Sequence, residues 1–296
     1  MKKQIILITA ALAVASVTAS ALNIVEDFST NPLLPGSGWT IDQGTNSNNQ
    51  LAWDSSIHSL NVNVNSSLPT VRLDMPFGSS LTTATDFTLT TRFSFTVTNA
   101  PSDQTMQFAF GLVNNTLTGG DRTGSFSNFG SDNTFNTVEF NYFPNVSPIY
   151  GGPTVTPTVF GGKAGSGDAF SNFASNFGTS APLPTATPLL ATLNYISASG
   201  TLTLTVQQVN PDQSLTLVDT ASISLTSLSP TFSVNSLAIM SYNDGFTFSG
   251  DPSLAGVMNI QGMQLTSPAS VPEPSSLGLI SLGIAGLFAF INRRHA

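Results

Sequence analysis

Glycoside hydrolysis needs two carboxylates flanking the scissile bond, so the acids of this chain are the first place to look for chemistry. The strand-like stretch "TVEFNYFPN" (Thr137–Asn145) puts Glu139 and Asn141 two residues apart. In an extended chain those two share one face. Val138, Phe140 and Tyr142 then point into a core, while Glu139 and Asn141 are expected to face solvent. The partner acid is not visible. Pro144 follows where a second carboxylate would complete the pair, and other acids can meet Glu139 only through the fold. His58 and His295 are the only histidines and there is no cysteine. Ser-His-Asp hydrolysis, His-rich metal sites and Cys chemistry are therefore excluded.

Charge narrows the partners further. Between the two ends the only strong bases are Arg72, Arg92, Arg122 and Lys163, against an excess of acids, and the whole chain carries −8. Such a surface repels phosphate backbones, so no nucleic-acid partner is expected. Thr, Ser, Asn and Gly supply most of the polarity. That composition suits an extracellular β-protein with a hydroxyl- and amide-covered face.

The elements that must position these residues are strands. "DFTLTTRFSFTVT" (Asp86–Thr98) alternates, with Phe87, Leu89, Phe93, Phe95 and Val97 on one face and Thr88, Thr90, Arg92, Ser94 and Thr96 on the other. "GTLTLTVQQV" (Gly200–Val209) repeats this with Leu202, Leu204 and Val206 inward. Met106–Asn114, Asn136–Phe143, Ser236–Asn243 and Gly256–Thr266 read as further strands, and Ser214–Leu225 as one or two more. One-sided alternation predicts sheets that bury one face and wet the other. Two such sheets stacked face to face make an all-β, two-sheet antiparallel jelly-roll sandwich over residues 22–267. Gly119–Asn133 and Gly161–Ser180, each carrying "FSNF", read as long surface loops whose Phe residues either cap the sandwich edge or contact a ligand. Ser180–Leu190, with Pro182, Pro184 and Pro188, is expected to run extended. His58 lies in a turn entering a strand. Trp39 and Trp53 are expected to pack in the core.

Both ends look like targeting segments. Residues 1–21 have a charged start, an apolar run and Ala19-Ser20-Ala21, a small-x-small pattern that predicts signal-peptide cleavage after Ala21; an uncleaved anchor is the alternative. The tail, residues 268–296, ends in "VPEPSSLGLISLGIAGLFAFINRRHA". Pro272 and Pro274 hold Val271-Pro272-Glu273-Pro274 extended and without sheet donors. The apolar run Leu277–Ile291 would span only about 22 Å as a helix, short of a hydrocarbon core of about 30 Å. Counted with Ser275 and Ser276, the expected transmembrane helix covers 275–292. Arg293 and Arg294, in the basic end 293–296, are expected to stay cytoplasmic.

This tail resembles the PEP-CTERM sorting signal: the proline-flanked Glu, the apolar stretch and the terminal Arg pair occur in that family's order. The resemblance implies recognition by an exosortase, removal of the tail near Pro-Glu-Pro, and a Gram-negative host that makes exopolysaccharide. A plain tail anchor is the alternative. The middle resembles concanavalin A-like sandwiches in two ways. Laminarinase-like members carry Glu-x-Asp-x-x-Glu; here Glu139 fits, but Asn141 and Pro144 replace the other two acids. Legume-type lectins carry Val-Glu-x-Asp-x-Tyr-x-Asn, matched here by Val138, Glu139, Asn141, Phe143 and Asn145. In those lectins the strand holds a metal ion and the Asn also meets sugar. The resemblance therefore implies Glu139, Asn141, Phe143 and Asn145 as the candidate ligand or calcium set, with Asn141 removing one of the charges calcium favours. Together these features imply a non-catalytic surface protein that associates with extracellular polysaccharide and is membrane-held through its C-terminal helix until processed. A glycan-active hydrolase with an unrecognised carboxylate pair and a purely structural matrix protein are the alternatives.

Overall fold

Period-two alternation of aromatic and β-branched residues against Thr, Ser and Asn can be satisfied only if each strand lays one side on another sheet. The computed structural model shows this arrangement. It describes residues 21–43, 50–65, 71–99, 107–116, 136–144, 153–161, 173–175, 182–226, 231–242 and 255–268. Apart from Leu22, the first residue of β1, the strands lie within one compact unit, Asn23–Ser267.

One sheet has eight strands. Its order is β13 (Leu215–Ser224), β12 (Thr201–Val209), β11 (Leu189–Ile196), β6 (Phe87–Asn99), β15 (Ala255–Ser267), β4 (Ser59–Asn65) and β3 (Leu51–Asp54), with β1 (Leu22–Glu26) also on β15. The other sheet has seven strands. Its order is β10 (Phe173–Ser175), β9 (Thr154–Phe160), β8 (Thr137–Phe143), β7 (Gln107–Val113), β14 (Ser233–Tyr242), β5 (Val71–Thr82) and β2 (Thr40–Gln43). Neighbours run antiparallel, as in β6–β11 and β7–β8. The expected all-β, two-sheet antiparallel sandwich is therefore present.

Aromatic rings join the sheets. From β6, Phe93 packs edge-on against Phe110 at 5.2 Å and Phe140 at 5.3 Å, while Phe110 and Phe140 stack at 4.4 Å. Phe95 meets Phe108 at 5.5 Å and Tyr142 at 5.0 Å. A second cluster forms where Phe87, Tyr195 and Phe232 meet.

The two sheets differ on their outer faces. β11 and β12 alternate between buried and part-exposed residues, as expected. β7 and β9 are buried at every position, and β8 at all but its last. One-sided wetting therefore fails at the centre of the seven-stranded sheet. The signal for this is the near-continuous apolar run "QFAFGLV", the pattern of a strand covered on both sides.

Two segments depart from the expected loops. Phe173–Ser175, within the expected loop Gly161–Ser180, pairs with Thr158–Phe160 as β10. The segment before β11 is not extended throughout. It turns at Thr185–Ala186, where Ala186 has φ 52°, and its last two residues already belong to β11. Tertiary hydrogen bonds pin it: Ala186 N donates to Phe95 O (2.8 Å) and Leu183 N to the Tyr142 hydroxyl (3.0 Å). Burial raises the Tyr142 phenol above the ordinary tyrosine pKa, with the Leu183 bond opposing. Tyr142→Phe strands a buried backbone N–H. It should lower stability by about 1–3 kcal/mol in chemical denaturation.

Candidate functional site

β8 presents Val138, Phe140 and Tyr142 to the inter-sheet core and Glu139 and Asn141 to the opposite face, as period two requires. Strand register places these two polar residues in rows. Glu139 lies beside Gly111, then Ala238, then Asp74 on one side, and beside Thr158 on the other. Asn141 lies beside Ala109, then Met240, then Arg72, and beside Thr156. The result is a floor of small and apolar residues on β7 and β14, flanked by polar groups on β5 and β8.

The floor requires its glycine. A Cβ on Gly111 would lie 2.1 Å from Val138 O and 2.8 Å from Glu139 Cα, both backbone atoms that cannot swing away. β7 and β8 therefore approach too closely there for any side chain.

The polar groups are tied to one another. Gln107 Nε2 donates to Asn141 Oδ1 at 2.6 Å, and Asn141 Nδ2 donates to Glu139 Oε2 at 3.2 Å. Arg72 Nε pairs with Asp74 Oδ2 at 3.0 Å, both side chains buried. Glu139 is 0 % exposed and Asn141 is buried with it, so the expectation that they face solvent does not hold. They point away from the inter-sheet core, as alternation demands, but that face is itself covered. Burying such groups costs little only because they are hydrogen-bonded.

This geometry restricts the chemistry. Three inter-strand steps of about 4.8 Å put the Asp74 and Glu139 backbones about 14 Å apart. Asp74 is already committed to the Arg72 guanidinium, and Glu139 accepts from Asn141, so neither carboxylate stands unpartnered. Nor do the described residues fit calcium. Glu139 is the single carboxylate of the strand, Asn141 Oδ1 already accepts from Gln107, and no group of three His, Cys, Asp or Glu among the described residues could hold a metal ion. Phe143 is half-buried at the strand end, and Asn145 lies outside the described residues. The structure thus brings Glu139 and Asn141 together and adds Gln107, Arg72 and Asp74, which sequence reasoning missed. Only the alternation of "VRLDM", with Arg72 and Asp74 two apart, could have pointed to the last two.

The remaining candidates are structural or undescribed. Trp39 is buried as expected, stacks on Phe28 at 6.0 Å, and donates through Nε1 to Glu26 Oε2 at 2.8 Å. Trp53 is half-buried and donates to Phe28 O at 2.9 Å. His58 closes an exposed turn with φ 48°, directly before β4. Of the "FSNF" aromatics only Phe173 is described. Ala21 is exposed just before β1, while Ala19 lies outside the described residues. So do Val271, Pro272, Glu273, Pro274, Arg293, Arg294 and the expected helix 275–292. Among the described residues no helix is long and apolar enough to cross a membrane.

Comparison with known proteins adds two findings. The model of the PEP-CTERM protein-sorting motif matches residues 270–294. Among solved structures, the winged bean acidic lectin complexed with methyl-alpha-D-galactose aligns with TM-score 0.52 at 12 % identity, over 84 % of this chain and 99 % of the lectin. The basic winged bean lectin with Tn-antigen aligns with TM-score 0.50 at 9 % identity, over 85 % of this chain and all of the lectin (100 %). At these identities the likeness is one of fold, the legume-lectin, concanavalin A-like sandwich. No curated protein sequence matches the chain.

Proposed function

We propose that this chain, with a PEP-CTERM sorting motif behind a lectin-type sandwich, is an exported exosortase substrate that associates with extracellular polysaccharide without cleaving it. The motif at residues 270–294 carries the reading, because it implies a membrane-held precursor processed for the cell surface. Ala19 and Ala21 mark the expected entry into the export route, and a Gram-negative cell surface or matrix is the destination the reading assigns. Carbohydrate is the ligand class to test first, since the winged bean acidic lectin of this fold is complexed with methyl-alpha-D-galactose.

A non-catalytic role is supported by the Asn141 amide that engages Glu139 and the Arg72 guanidinium that engages Asp74. Native electrophoresis through gels containing galactomannan or mixed-linkage β-glucan, paired with a reducing-end assay, tests the proposal. The protein should be retarded and no new reducing ends should appear. Unchanged mobility in every polymer would refute association; new reducing ends would refute the non-catalytic role.

A further inference from the structure

The outer face of the eight-stranded sheet is unlike that of its partner. Register aligns Thr220, Thr205, Thr192, Thr90 and Gln264 in one row across five strands. The next row is Ser222, Thr203, Asn194, Thr88 and Thr266. Every one of these side chains is part-exposed or exposed, and none is charged. Neighbours stand about 4.8 Å apart across strands and about 6.7 Å apart along them. The corresponding outer face at the centre of the seven-stranded sheet is buried, so this is the sandwich face that offers hydroxyls to solvent.

Some of these groups are already engaged. Thr88 Oγ1 donates to Asn194 Oδ1 at 2.8 Å, and the hydroxyls of Thr203 and Ser222 meet at 3.0 Å. Thr220 Oγ1 donates to Leu204 O at 3.1 Å. Thr192, Thr205 and Thr266 make no side-chain hydrogen bond among the described residues, so their hydroxyls can both donate and accept outward. Arg92, in the adjoining row opposite Leu190, has an Nε with no partner. Exposed aliphatics bracket the two rows: Leu217 opposite Gln207 and Ile196 opposite Thr201 (59 % and 46 % exposed).

We propose that this face, over β13, β12, β11, β6 and β15, is the surface on which a neutral polysaccharide chain lies. The inference rests on the polysaccharide reading above and names its surface. Regularly spaced hydroxyls and amides, threonine methyls and flanking aliphatics match a polymer that alternates hydroxyl edges with C–H faces. Ten uncharged positions on a chain carrying −8 select a neutral polymer over an anionic one. Sheet twist of about 20–25° per strand turns the rows through about 80–100° over five strands. A flexible chain follows that twist, whereas a planar crystalline lattice meets only a few strands. A second copy of this protein gains little here, because the rows lack the apolar centre of stable homodimer interfaces.

The test uses the full chain in mild detergent. T192K/T205E inserts a cross-strand ion pair without changing net charge, and T192S/T205S keeps both hydroxyls. In galactomannan and mixed-linkage β-glucan gels, wild type and T192S/T205S should be retarded alike. T192K/T205E should bind at least tenfold more weakly, with unchanged Tm and unchanged mobility in polymer-free gel. Should its Tm fall, the single substitution T205K is read instead, as the ratio of its mobility in polymer gel to that in polymer-free gel, so that its added charge cancels. Equal retardation of wild type and T192K/T205E would overturn this surface while leaving polysaccharide association standing. Absence of retardation of wild type would overturn both. Stronger retardation by anionic alginate, or a concentration-dependent dimer abolished by T192K/T205E, would overturn the neutral-polymer assignment.

Discussion

P272A/E273A/P274A should leave the protein in the membrane at full length, with the amount reaching the surface or medium falling at least tenfold. Two prolines in three consecutive positions fix φ and remove backbone donors, so wild-type Val271–Pro274 is expected to stay out of helix interiors and sheet ladders. The sequence therefore predicts an extended peptide here, next to the apolar run Leu277–Ile291. Three alanines remove that constraint, the carboxylate and the motif's defining residues. The run that follows is expected to be short for a span yet able to hold the chain in lipid for a time. Fractionation of cells expressing each form, with immunoblotting for length, reads the result. Equal delivery of both forms would show that residues 270–294 do not act as a sorting motif.

Phe140→Ala should cost about 3–5 kcal/mol. Phe140 is fully buried, stacked on Phe110 from the neighbouring strand and edge-on to Phe93 from the facing sheet. Its removal opens a cavity where the two sheets meet, and the surrounding rings cannot collapse into it without leaving their own rotamers. Against a typical stability of about 5–15 kcal/mol, that loss brings the domain near unfolding at physiological temperature. The midpoint of urea unfolding should fall accordingly, and Phe140→Leu should lose less. A shift within experimental error for Phe140→Ala would contradict the ring cluster.

Much of the sandwich was legible because β6 and β8 alternate throughout and β12 and β15 alternate on either side of a bulge, and alternation survives in sequence whatever lies opposite. β5, β9 and β11 were not seen for identifiable reasons. β5 carries Arg72, Asp74, Pro76 and Gly78, and its register against β14 shifts between Val234 and Ser236. β9 carries Pro157 at its centre. Among the described residues β10 pairs with Thr158–Phe160 and none of them stands opposite Pro157. β11 opens directly out of a proline-rich stretch that reads as extended coil. At the site, period two correctly set Glu139 and Asn141 on the face opposite Phe140. It could not say that this face is covered, nor that Asp74 shares a row with Glu139, because row membership depends on register among β5, β14, β7 and β8. The threonines of β6 were visible one strand at a time; their alignment with Thr192, Thr205 and Thr220 belongs to the folded sheet.

The most direct measurement is the intact mass of the protein recovered from the surface or medium of its native host. The mass should correspond to a chain beginning at Leu22 and ending at or beside Val271–Pro274, without Leu277–Ile291 or the Arg293-Arg294 pair. A surface-recovered mass that includes every residue through Ala296 would contradict sorting by tail removal.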